Sequence, residues 1–503
     1  MQPCHLARIF VLFLTLACAS AQAQERGENR SEARNPTGIF TLIPADATTQ
    51  HSIVLDTGTL SYFATAGTFD IFGRNGDRSA KIFYTAYVAK DQPVDRPVTF
   101  VFNGGPGAAS AYLHLGLVGP KILTFGDDQV DGTRPSLKDN PESWLAFTDL
   151  VLIDPVGTGW SRAADEEGAG QFYSVSQDAE SIAKVIALYI QKGGRLSSPK
   201  YLLGESYGGF RAAKVASALK DTQGILVSGI VMVSPLIEGR FLWGPDDDPL
   251  AAALQLPSLA AAEMERKNAF DPGLLKAAEQ FAGEDYLVSL AGPAETGAAA
   301  DAFYERIAKL TGIPVDTVRR TRGFLSDVYA KHSAGEDRVV SPYDAAYSVA
   351  DAYPQAATER NDDPILDGYT RAYAPAFTTY ARDELRFRTE MTYVLLNGDA
   401  NRRWEWNGSR GPGRVAASAT GDLRDLLSVI PQLSVLATHG YSDALTPYGF
   451  SRYVVDHLPP DLVSGRVTMK LYRGGHMFYT APASRKAFFH DARSFYARGN
   501  MSE

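Results

Sequence analysis

The sequence holds two cysteines in 503 residues, Cys4 and Cys18. From residue 24 onward it can therefore form no disulfide, no thiolate metal centre and no cysteine nucleophile, and folding there rests on the core alone. The apolar run from Ile9 to Ala19 is too short to cross a bilayer, and no later stretch reaches about 18 apolar residues, so no stable membrane insertion is expected. Positive charge is also scarce: 49 Lys and Arg stand against 58 Asp and Glu, a net charge of −9, with no basic cluster. A phosphate backbone needs such a cluster, so nucleic acid is not an expected partner. Aromatic residues at 11% and charged residues at 21% are those of an ordinary globular protein, long enough for one large domain with an insertion.

At the N-terminus, Arg8, the apolar run and Ala21-Gln22-Ala23 read as a signal peptide cut after Ala23, which predicts export to a periplasm-like compartment or beyond. Lipid anchoring at Cys18 is the weaker reading, because Thr15 stands where a lipoprotein site has leucine. From Ser52 short alternating runs, Leu60 to Ala64 and Lys81 to Val88, flank the turn residues Arg74 to Asp77 and predict antiparallel strands. Continuous apolar strands follow at Pro97 to Phe102, Leu150 to Ile153, Tyr201 to Leu203 and Gly229 to Val233, separated by helical stretches such as Ser176 to Gln191. This alternation predicts an α/β fold with a mainly parallel sheet flanked by helices. Residues 241–425 lack strand patterning, with helices expected at Pro257 to Asn268 and Thr317 to Lys331; strands resume at Leu433 to Ala437 and Val467 to Leu471. The expected order is a signal peptide (1–23), a first core part (24–240), a large, mostly helical insertion or cap (241–425) and a second core part (426–503).

Gly204-Glu205-Ser206-Tyr207-Gly208 is a G-x-S-x-G placed directly after a buried strand and before a helix from Phe210 to Leu219. In that context the serine stands on a sharp turn with its hydroxyl exposed. A serine hydroxyl needs a base to take its proton and an acid to orient that base, and on this fold they follow in the order Ser, acid, His. Of eight histidines only His476 sits in a glycine-rich loop after a late strand; His457 and His490 fall on helices. Asp443 lies in a loop after the preceding strand, and its rival Asp399 lies inside the insertion without that path to a histidine. Asn103-Gly104-Gly105-Pro106-Gly107 follows the first parallel strand, where the backbone N–H of Gly105, with that of Tyr207, would receive the developing oxyanion. No metal or cofactor is called for.

Together NGGPG from Asn103, DPVGTGWS from Asp154, ESYGG from Glu205, DALTP from Asp443 and Gly475-His476-Met477 resemble the serine carboxypeptidase family, in its usual order, and most closely its cysteine-poor bacterial members. The resemblance implies an α/β hydrolase that forms an acyl-enzyme at Ser206 and releases the last residue of a peptide with a free C-terminus. It places Asn103, Gly104 and Glu205 at that terminal carboxylate. Two departures stand out: Leu117 occupies the position of the family's second glutamate, and Tyr441 that of a companion acid before Asp443. An esterase or acyltransferase would keep the triad without the carboxylate clamp, and an inactive binding protein would need neither.

Overall fold

Alternating apolar and polar residues from Ala47 to Ala89 build three antiparallel strands, β1 (Ala47–Leu55), β2 (Gly58–Phe72) and β3 (Arg78–Ala89), because period two turns one side of each strand to a core. The reversal at residues 73–77 is closed by the Gly73 N–H on the Asp77 carbonyl at 2.9 Å and by the Asp77 N–H on the Asn75 side chain at 3.1 Å. The computed structural model describes residues 38–126, 129–294, 296–406 and 413–499. The expected signal peptide, with Cys4 and Cys18, lies outside the described residues.

Beyond β3 the sheet is parallel. Strands β4 (Val98–Phe102), β5 (Asp149–Ile153), β6 (Lys200–Glu205) and β7 (Gly229–Val233) are buried along their whole length, as strands covered on both faces must be. With β8 (Ser434–Gly440) and β9 (Val467–Tyr472) the order is β1-β2-β3-β5-β4-β6-β7-β8-β9, and a two-residue strand, Arg162–Ala163, pairs with β3 as the tenth. This is the α/β-hydrolase arrangement expected from the sequence. The order reverses at β4, which lies between β5 and β6, and such a switch point opens a crevice beyond the carboxyl ends of the strands.

Helix α1 (Val175–Lys192), capped by Ser174, turns Ile182, Val185 and Ile186 to one face of the sheet, where α2 (Tyr207–Ala218) also packs. On the other face α4 (Pro482–Gly499) buries Phe488, Phe489 and Tyr496 around Trp144. Helix α3 (Pro249–Arg266) begins eight residues before the expected start, because Asp248 caps it and Pro249 fits its first turn, which leaves Pro257 inside the helix. The expected helix from Thr317 to Lys331 is two short ones, Val315–Arg320 and Tyr329–His332, with Gly323 between them at φ +93°. Between β7 and β8, a third core gathers Leu256, Phe281, Tyr286, Ile307 and Val340, whereas Tyr373, Phe377 and Phe387 join the main core beside Phe83 and Trp160. Among the described residues no helix is long and apolar enough to cross a membrane.

Candidate active site

The crevice at the switch point receives the loops after β4 and β6. Immediately after β6, Ser206 has φ 60° and ψ −126°, a conformation that costs a residue with a side chain roughly 1–3 kcal/mol. Hydrogen bonds hold it there: the Ser206 N–H reaches the Val233 carbonyl at 2.8 Å, and its own carbonyl accepts from Gly209 at 2.9 Å and Leu236 at 3.1 Å. The loop after β4 lies tight against this turn. A Cβ on Gly104 would come within 2.6 Å of the Tyr207 nitrogen and 2.7 Å of the Gly208 nitrogen, so only glycine lets the two loops meet. Residues Asn103, Gly104, Gly105, Glu205, Ser206, Tyr207 and His476 all line one cavity of about 560 Å³.

His476 follows β9 and is 2% exposed, and its Nδ1 lies 2.9 Å from Oδ2 of the fully buried Asp443. That carboxylate is saturated: Oδ1 accepts from the backbone of Leu445 at 3.0 Å and Thr446 at 2.9 Å, and Oδ2 also accepts from the Thr446 hydroxyl at 2.9 Å. Burial opposes a charge on the imidazole, but the Asp443 carboxylate outweighs it and holds His476 above the ordinary histidine range. Two further contacts come from Tyr343: its carbonyl accepts from the backbone N–H of His476 at 2.5 Å, and its ring stands edge-on to the imidazole at 5.1 Å. The rival acid is elsewhere. Asp399 is exposed on the short helix Gly398–Arg402, paired with Arg402 and Arg403. His457 is exposed and stacked on Tyr453, and His490 is exposed on α4.

Glu205 adjoins Ser206 and is buried. Its Oε2 accepts from the Asn103 side-chain amide and its Oε1 from the Tyr479 hydroxyl at 2.8 Å. Burial pushes the carboxyl up to about 7, against the opposing pull of His476 and of the Tyr479 and Asn103 hydrogen bonds. Asn103 is itself fixed, its Oδ1 accepting from the Leu113 N–H at 3.0 Å and its carbonyl from the buried Arg211. Leu117 is fully buried in the π-helical turn His114–Val118, and Tyr441 packs on Phe270 and Tyr448, so neither family position holds a second acid. Sequence reasoning missed Tyr343, Thr446 and Tyr479. The cavity lining is also aromatic: Tyr207 meets Trp404 and Trp406 edge-on, and Trp406 in turn meets Trp243.

The motif from Asp154 has a structural job. The Trp160 indole donates to the Met391 carbonyl at 3.0 Å and meets Phe83, Phe387 and Tyr393 at ring distances of 5.1 Å each, while Gly159 bridges to Val394. It fastens residues 391–396 beside the loop after β4, where Ala108 bridges to Leu396.

Residues 69–238, about a third of the chain, match the serine carboxypeptidase family. Serine carboxypeptidase-like 2 of Arabidopsis thaliana is 31% identical over 139 residues, 27% of this chain and 31% of that protein. The venom serine carboxypeptidase of Apis mellifera is 32% identical over 150 residues, 29% of this chain and 30% of that protein. The matched stretch thus spans under a third of these relatives' own length. In three dimensions the chain resembles a prohormone-processing carboxypeptidase of Saccharomyces cerevisiae, with a TM-score of 0.54 and 15% identity, over 87% of this chain and 92% of that one. The stretch that carries the loop after β4 and the turn at Ser206 is serine carboxypeptidase-like in sequence, and it stands on an α/β-hydrolase fold.

Proposed function

We propose that the protein is a serine carboxypeptidase that removes the last residue of peptides with a free C-terminus. The observation that carries this reading is the buried carboxyl of Glu205, fixed by Asn103 and facing the same cavity as Ser206 and His476. An ionised substrate carboxylate is tolerable there only if Glu205 is protonated, and burial supplies that proton below about pH 7. The Ser206 hydroxyl attacks the scissile carbonyl while His476 takes its proton, and Asp443 steadies the imidazolium. The Gly105 and Tyr207 N–H groups receive the oxyanion. His476 then returns the proton to the departing amine, the terminal amino acid leaves, and water cleaves the Ser206 ester by the same route. Residues 241–425 roof the cavity as a cap, and the N-terminal Arg8, apolar run and Ala21-Gln22-Ala23 support export to a periplasm-like compartment or beyond.

The test is kcat/KM against pH for a matched peptide acid and peptide amide. The acid is expected to be strongly preferred below neutrality, with its rate falling as pH rises through the Glu205 titration. Glu205→Gln keeps a donor and removes the charge, so it should flatten that alkaline limb while preserving the preference. Equal cleavage of acid and amide at every pH would replace this reading with an esterase or acyltransferase.

A further inference from the structure

The carboxypeptidase reading leaves a question at Glu205: with Leu117 in the place of a second carboxyl, something else must position the acid. Tyr479 reaches it from the other side of the site. It stands three residues after His476 in the turn Phe478–Thr480, fully buried, with its hydroxyl 2.8 Å from Glu205 Oε1. The π-helical turn that carries Leu117 is shaped around its ring. A Cβ on Gly116 would lie 2.8 Å from Tyr479 Cε2 and 2.8 Å from the Tyr373 hydroxyl, so the glycine beside Leu117 makes the space the tyrosine fills. Thus each oxygen of Glu205 is taken by one neutral donor, Asn103 or Tyr479.

Resting on the carboxypeptidase reading, we propose that Tyr479 is the positioning residue that takes over from a second carboxyl: it orients Glu205 toward the substrate carboxylate and sets the upper pH limit of the reaction. The chemistry of the two partners differs in sign. A neighbouring carboxyl, once ionised, repels the charge on Glu205 and keeps it protonated to higher pH; a phenol donor stabilises that charge and lets Glu205 ionise earlier. The other titratable groups around Glu205 are His476 and Asp443 on their loops and Tyr112, Tyr343 and Tyr373 on the surrounding elements. Burial drives the three tyrosines upward, away from the working range, so His476 and Asp443 are the charges that act on Glu205 there.

The experiment compares pH profiles of kcat/KM for the peptide acid in wild type and Tyr479→Phe, with the peptide amide as control. Loss of a hydrogen bond to a charged group should move the alkaline limb of the acid profile upward by about one pH unit. The amide profile should keep its limbs. In a Glu205→Gln background, Tyr479→Phe should shift nothing, because nothing titrates there. If Tyr479→Phe does not fold, 3,5-difluorotyrosine at position 479, a stronger donor, should move the limb to lower pH instead. A wild type that prefers the acid but whose limb stays put under either change overturns the role of Tyr479 alone. A wild type without that preference overturns the carboxypeptidase reading itself.

Discussion

Arg211 is a side chain whose loss should be strongly destabilising. Its side chain has no exposure; its Nε donates to Asp178 Oδ2 at 2.6 Å, and its Nη1 donates to the Asn103 carbonyl at the start of the loop after β4. It lies over the Tyr207 ring at 4.9 Å. One guanidinium thus ties α1, α2 and the loop that holds the candidate oxyanion donor. Arg211→Ala strands the Asp178 charge, itself 3% exposed, and breaking a buried pair in this way costs about 3–5 kcal/mol. Unfolding entropy for a chain of 503 residues is on the order of 1 kcal/mol per kelvin, so Tm should fall by about 3–5 °C.

The loss should also depend on pH, with a definite sign. Burial raises the Asp178 carboxyl above its ordinary range and Arg211 pulls it back, so removing Arg211 raises it further. Between the unfolded value, about 3.9, and the raised folded one, the native state binds more protons than the unfolded state, and stability falls as pH rises. Calorimetry should therefore show the Tm gap between wild type and Arg211→Ala widening as pH rises above the ordinary carboxylate range. The double variant Arg211→Met/Asp178→Leu, which removes both charges, should recover most of the loss. At 25 °C the Arg211→Ala enzyme should still turn over at least about tenfold more slowly, because the loop at Asn103 has lost its anchor. A gap constant with pH, or a double variant as unstable as the summed singles, would refute this account of the pair.

Ser206→Ala and His476→Ala should each lower turnover on the peptide acid by about 10⁴-fold or more with Tm nearly unchanged, since the members of a triad act as a unit. Asp443→Asn should be similarly damaging through the wrong histidine tautomer, and Asp399→Asn nearly silent, because Asp399 meets only surface arginines; the reverse result in steady-state assays would displace Asp443. Trp160→Ala should cost about 3–5 kcal/mol, seen as a drop in Tm of similar size in degrees, by emptying the aromatic cluster around Phe83, Phe377 and Phe387; a shift under 1 °C would mean the cluster re-packs.

The parts legible in the sequence are those whose signal is local. The turn at Ser206 announces itself by a buried strand, two glycines and a helix within a dozen residues, and the order strand, acid, helix, strand, histidine follows from periodicity after Leu433. What escaped depends on contacts between distant segments. Tyr479 carries no mark beyond its place three residues after His476; its meaning lies in an acid 274 residues away. Residues 372–396 have the aromatic content of a core but no strand period, so nothing in the pattern assigns them to the face beside Phe83. The start of α3 is marked locally by Asp248-Pro249, a cap followed by a first-turn proline, and Pro257 is carried inside the helix.

The segment between β7 and β8 does more than line the cavity. Its hairpin, Arg338–Ser341 and Asp344–Ala350, turns through Pro342 and Tyr343 directly onto the two loops that carry Asp443 and His476. The Pro342 carbonyl accepts from Ala444 at 3.1 Å, the Tyr343 carbonyl from His476 at 2.5 Å, and the Ala345 N–H donates to Ser442 at 3.0 Å. The half-buried Asp344, pushed up to about 6 by desolvation, accepts from the Ser442 hydroxyl at 2.7 Å. These bonds flank Asp443 on both sides and hold His476 by its own amide. The loop after β9 is therefore held by a partner more than 120 residues earlier in the chain, and the placement of His476 depends on this hairpin as much as on the sheet. The strained turn at Ser206 is closed by the neighbouring strand, whereas Asp443 and His476 stand on two separate loops that the hairpin braces, alongside direct bonds such as that from the Ser442 N–H to the Gly474 carbonyl at 3.0 Å.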